Sequence, residues 1–169
     1  MKLKLLALST IAFAFAAFGN AQTDPYLIGL RATLPSTEKI HDAKIATLFE
    51  VWKDAHGVLQ SNGFLEMGFK TSPTASFVLT VHSPIATFAD NNGVPFIQAH
   101  GSLKNVSSGE STDVYVEWYM ADNRKENSGT TVKPDVFAIH FWKPNTSLNY
   151  SSHWSFTGFH SVEVYHPRI

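Results

Sequence analysis

The stretch STEKIHDAKIATLFEVWKDAHGVLQ, Ser36 to Gln60, decides the fold. Ile45, Leu48, Phe49, Trp52, Ala55 and Leu59 recur at steps of three and four, which gathers them on one stripe of a helix. Glu38, Lys39, Asp42, Lys44, Glu50, Lys53 and Asp54 fall mostly on the opposite side. Ser36, just after Pro35, supplies a hydroxyl to cap the first turn, and Glu38 suits the positive helix start. Gly57 or Asn62-Gly63 provides the left-handed residue that ends helices. The spacing therefore predicts one long amphipathic helix, the only one in the chain.

Outward from that stretch, the chain reads as strands and turns. Upstream, Tyr26 to Ala32 is an edge strand or an extended arm beside the helix. Downstream, Phe64 to Lys70 alternates in part, with Gly68 interrupting. Ala75 to His82 alternates better, with Phe77, Leu79 and Val81 on one face. Pro84 ends or bulges that strand. Asp90-Asn91-Asn92-Gly93 is a strong turn signal, joining Ile85–Ala89 to Val94–Leu103 as a hairpin. In Thr112 to Met120, Val114, Val116, Trp118 and Met120 face one way, and Asp113, Tyr115, Glu117 and Tyr119 face the other. Asp135 to Trp142 is apolar on both faces and reads as a central strand. His153 to Tyr165 is the last strand, bent at Gly158.

The first residues belong to a different category. Lys2 and Lys4 precede an apolar run, Leu5 to Phe18, and Gly19-Asn20-Ala21 ends in the small residues a signal peptidase reads. The run holds roughly 14 residues, short of the about 20 that a spanning helix needs. Residues 1–21 are therefore expected to be a cleaved secretory signal. Residues 22–169 are then expected to form a single domain of about 148 residues, an ordinary domain size.

Composition narrows the function classes. The chain has no cysteine, which excludes disulfides, thiolate metal sites and cysteine nucleophiles. A formal net charge of -1 gives no basic footprint for nucleic acid. Charged residues make up 16% and aromatics 13%, a balance that suits a packed, sheet-rich domain. Three sequons, at Asn105, Asn145 and Asn149, fall in stretches read as loops, where glycan acceptors belong. With the signal they point to a secreted glycoprotein, extracellular or, in a bacterium, periplasmic.

The elements add up to an α+β domain: one long N-terminal amphipathic helix packed on a curved antiparallel sheet. That order resembles the NTF2-like and cystatin-like domains at the level of topology. The cystatin Gln-x-Val-x-Gly loop is not present in the sequence. The resemblance implies a sheet whose concave face meets the helix.

Eight histidines are the one unusual chemical feature. His140 lies in the central strand and His160 shares parity with Trp154, Phe156 and Val162. Either would act as a general base near neutral pH, with Glu117 on the neighbouring strand orienting it. Tyr115 and Tyr119 share the face of Glu117 and would bond a substrate carbonyl. By the resemblance, that set makes an NTF2-like isomerase or dehydratase pocket. Packing is the stronger reading of each residue taken singly. A three-imidazole metal site from His140, His160 and His82 or His100 is a further alternative. No motif calls for a metal or cofactor. Tyr115, Tyr119, Trp142 and Trp154 are the candidate ligand-binding aromatics, and Tyr150, His153 and Trp154 form a candidate sugar-stacking group. The preferred reading is a non-catalytic binding protein, taking an unidentified small apolar molecule or an extracellular protein. Nucleic acid is not expected, nor a membrane once the signal is cleaved. The NTF2-like enzyme is the alternative.

Overall fold

Along Ser36–Gln60, burial repeats every second residue, not every third or fourth. Ala43, Ile45, Thr47, Phe49 and Val51 are all buried, and the residues between them are not. The computed structural model describes residues 26–89, 95–123, 134–156 and 162–165. The signal segment, the Asp90–Gly93 turn and His160 lie outside them.

Nine strands follow one another: β1 (Tyr26–Leu34), β2 (His41–Lys53), β3 (Leu59–Ser72), β4 (Ala75–Ala89), β5 (Pro95–Asn105), β6 (Ser111–Ala121), β7 (Asp135–Trp142), β8 (Asn149–Phe156) and β9 (Val162–Tyr165). All join one antiparallel sheet in the order β8-β7-β6-β5-β4-β3-β2-β1-β9. The first eight form a meander in which each strand pairs with the next. The ninth returns to the far side of β1. The sheet curls into a nearly closed barrel, since β9 comes back beside β7 and Val162 N–H donates to Asp135 Oδ2 at 3.1 Å.

The expected α+β arrangement is therefore corrected. No helix packs on the sheet among the described residues, and the would-be helix is β2 with the turn and start of β3 beyond it. The physical reason lies in the two faces of β2. Its inward lane is strictly alternating, with β-branched Ile45, Thr47 and Val51 flanking Phe49. Its outward lane carries Leu48 and Trp52, half-buried. Adding those two to Ile45 and Phe49 produces steps of three and four on paper. β1 and β3 settle the contest by pairing with β2 along nearly its whole length. The supposed end signals have other duties. Gly57, at φ 77°, closes the β2–β3 hairpin, with its N–H on the Asp54 carbonyl at 2.9 Å. Gly63 lies inside β3, where an added Cβ would collide with the Leu48 carbonyl oxygen and the Phe49 backbone.

Other sequence readings meet the structure closely. β4 turns Leu79 and Val81 fully inward, with Phe77 partly buried beside them, and shifts register between Val81 and Ala86, around Pro84. β6 buries Val114, Val116, Trp118 and Met120 and leaves Tyr115, Glu117 and Tyr119 outside. The last predicted strand splits into β8 and β9, which sit at opposite ends of the sheet order.

The interior is filled by side chains, as expected for a barrel of about eight strands. Trp118, Phe49, Phe137 and Phe141 are at most 1% exposed. Trp118 lies 4.9 Å from Phe49, and Phe137 stacks on Trp154 at 5.7 Å. Each such side chain contributes about 1.5–3 kcal/mol on burial. The seam near β8 is held by side chains. Trp154 Nε1 donates to the Pro35 carbonyl at 2.7 Å, and the Thr37 and Ser152 hydroxyls are 3.0 Å apart. Asp135, buried at the start of β7, accepts from Asn123 N–H and Val162 N–H, both at 3.1 Å. Among the described residues, one buried side-chain polar atom is left without a partner, the indole nitrogen of Trp118.

Candidate functional site

Strand alternation sends every second residue of β5–β8 to the outer surface. Antiparallel register then lines them up in rows across the four strands. Gln98, Glu117, His140 and Ser151 form one row. Phe96, Tyr119, Ala138 and His153 form the next. His100, Tyr115, Trp142 and Asn149 form the row on the other side.

Polar contacts run along the central row and on to Asn149 of the neighbouring row, a relay with one gap, between Glu117 and His140. Gln98 Nε2 donates to Glu117 Oε1 at 2.7 Å. Glu117 Oε2 stands 3.7 Å from His140 Nδ1, and the Glu117 side chain is 25% exposed. His140 Nε2 is 3.1 Å from Asn149 Oδ1. The adjacent row is aromatic. His100 meets Tyr115 at 4.6 Å, Tyr115 stacks on Trp142 at 5.7 Å, and Trp142 stacks on His140 at 4.6 Å. These rings stand against one another, so much of their face area is taken up by neighbours. Such cross-strand pairs contribute roughly 0.2–1 kcal/mol each.

The third row leaves a dip. Ala138 carries only a methyl between the larger Tyr119 and His153. An open groove of about 410 Å³ lies over it, lined by Phe96, Glu117, Tyr119, Ala138, His140 and His153 among others. Phe88, 51% exposed and paired with Phe96, extends the apolar surface past one end.

The sequence candidates divide by lane. Glu117, His140, Tyr115, Tyr119 and Trp142 come together on this outer face. Trp154 does not join them. It points inward, is 2% exposed and takes part in the barrel seam, so its ligand-binding role is withdrawn. Tyr150 also turns inward, against Phe69 and Phe141, while His153 faces out, so the sugar-stacking trio is divided by the sheet. The expected meeting of His140 with a helix is likewise replaced, because His140 faces out and the described residues hold no helix. His82 and His100 are both exposed, on β4 and β5. Among the described residues no three His, Asp or Glu side chains gather as a metal site.

The sequons differ in setting. Asn145 is exposed in the β7–β8 turn at φ 59°. Asn105 accepts from the Ser107 and Ser108 N–H groups through its side-chain oxygen, so it shapes its own turn. Asn149 is exposed and belongs to the His140 relay.

The chain matches no family model, no curated protein and no solved structure. The site's chemistry is therefore argued from its own geometry.

Two of its members had no functional signal in the sequence. Gln98 and Phe96 reach the site only because β5 pairs with β6 in this register. Asp135 was read as the start of a strand, not as the acceptor that ties β7 to β9. A carboxylate opening an otherwise apolar run was the available clue.

Proposed function

We propose that the protein is an exported binding protein without a catalytic duty, which takes its ligand on the outer face of β5–β8. Export rests on the Lys2–Ala21 signal pattern. The observation that carries the binding reading is a contrast in packing. The barrel interior is filled by large side chains, whereas Glu117, Tyr119 and His140 on the outer face line an open groove. A small apolar ligand inside the barrel would have to displace Trp118 or Phe137. The groove offers aromatic edges beside an amide, a carboxylate and imidazoles, the mixture that fixes a ligand's orientation.

The acid–base alternative draws on the 3.7 Å approach of His140 and Glu117. The groove is open, however, so water reaches it, and a general base gains most where water is kept out. Glu117 is also engaged by Gln98. Binding accounts for this arrangement with fewer demands.

The test is a fragment titration of the mature domain by NMR, using indole, phenol, butanamide, n-butylammonium and cellobiose. Ligand-induced shifts should cluster at Phe96, Glu117, Tyr119 and His140. Shifts at the interior methyls of Val116 and Leu65, or none at the groove, would overturn the reading.

A further inference from the structure

The relay contains an electrostatic mismatch. Asn149 presents its side-chain oxygen to His140 Nε2, so in the neutral ring that nitrogen carries the hydrogen. His140 Nδ1 then presents a lone pair. It faces Glu117 Oε2 at 3.7 Å, and a carboxylate oxygen is also an acceptor. Two acceptors thus face each other with no hydrogen between them. The other Glu117 oxygen is satisfied by Gln98. Among the described residues no Lys or Arg lines the groove, so the carboxylate, three-quarters covered, has no permanent counter-charge from them. A covered carboxylate gains most from a charged donor. Phe96 and Tyr119 stand on the same side, and aromatic faces attract cations.

We infer that the groove binds a free small molecule that carries a cationic nitrogen on an apolar stem, an alkylammonium. The inference rests on the outer-face binding reading and names its ligand class. One N–H of the cation bonds Glu117 Oε2 and another bonds His140 Nδ1. The stem lies over Ala138 between Tyr119 and His153. Charge complementarity selects this occupant, since among the described residues the lining holds one carboxylate and no fixed cation. A protonated His140 would fill the same gap with its own Nδ1–H, so the ligand and that proton exclude each other.

The probe is n-butylammonium, with butanamide and butyrate as neutral and anionic controls, on the mature domain and on Glu117→Gln. His140 ring and Tyr119 resonances should move with butylammonium and saturate, and butyrate should move neither. Glu117→Gln, which keeps the shape and the Gln98 contact, should weaken the cation about tenfold. Equal response to butanamide, or unchanged cation affinity in Glu117→Gln, would overturn the cation assignment. In that event a groove that takes butanamide or cellobiose leaves the binding face standing. A groove that takes nothing removes both.

Discussion

The two sides of β5–β8 are built from the same strands and have opposite characters. Inward, Ile97, Trp118, Ile139 and Trp154 are at most 2% exposed and touch other rings or aliphatic chains. Outward, one residue along from Ile97, Trp118 and Ile139, Gln98, Glu117 and His140 form a half-exposed polar row with Ser151. The inner side repeats what any filled barrel needs. The outer side spends amides, a carboxylate and an imidazole where solvated lysines and glutamates would serve solubility as well. Stability and chemistry are thus separated by a single step along the chain, and substitutions should separate them too.

The largest effect is expected inside. Trp118→Ala should cost about 3–5 kcal/mol, read from the denaturant midpoint, and leave the outer rows without support. Ile97→Val, a gentler probe of the same lane, should cost about 0.5–1.5 kcal/mol and leave butylammonium binding unchanged. Gly63→Ala should cost about 1–3 kcal/mol, because its methyl meets the Leu48 carbonyl and the Phe49 backbone, which cannot rotate away. Asp135→Ala should cost about 1–3 kcal/mol, since it removes the carboxylate that accepts from the Val162 and Asn123 N–H groups. Native-state hydrogen exchange on the same variant should find the Val162 amide accelerated. On the outer side, Trp142→Ala should cost under about 1 kcal/mol yet alter the groove's binding. A large stability loss there would merge the two sides and spoil the contrast.

The smallest effect concerns pH. The Asp54 carboxyl is held below its ordinary value of 3.8, chiefly by the Val58 N–H and also by the His56 N–H and Gln60 amide. A depressed folded value means stability that is present above 3.8 and lost as the pH falls through the folded value. Asp54→Asn should flatten that part of the acid-unfolding curve, and no change in its slope would discount the turn.

Strands with one apolar lane were legible. Leu79 and Val81, or Val116 and Trp118, alternate with polar neighbours, and each was assigned the correct face. β2 was not legible, because Leu48 and Trp52 put apolar groups on its outer lane and complete a false helical stripe. What resolves it is pairing with β1 and β3, and a sequence window does not contain that information. The candidate site divides similarly. Alternation alone puts Tyr115, Glu117 and Tyr119 on one face of β6. Their meeting with His140 depends on register, and a one-residue slip would have moved His140 to the core. Gln98 and Phe96 depend further on the β5–β6 register, which no spacing rule announces.

The most direct test of the two-sided account is ¹⁹F NMR of the mature domain labelled with 5-fluorotryptophan, with a soluble gadolinium chelate as quencher. Trp→Phe variants assign the four resonances. The account predicts that Trp118 and Trp154 stay sharp while Trp142 and Trp52 broaden. Broadening of Trp118 together with Trp142 would mean an open interior, and would contradict the assignment of binding to the outer face.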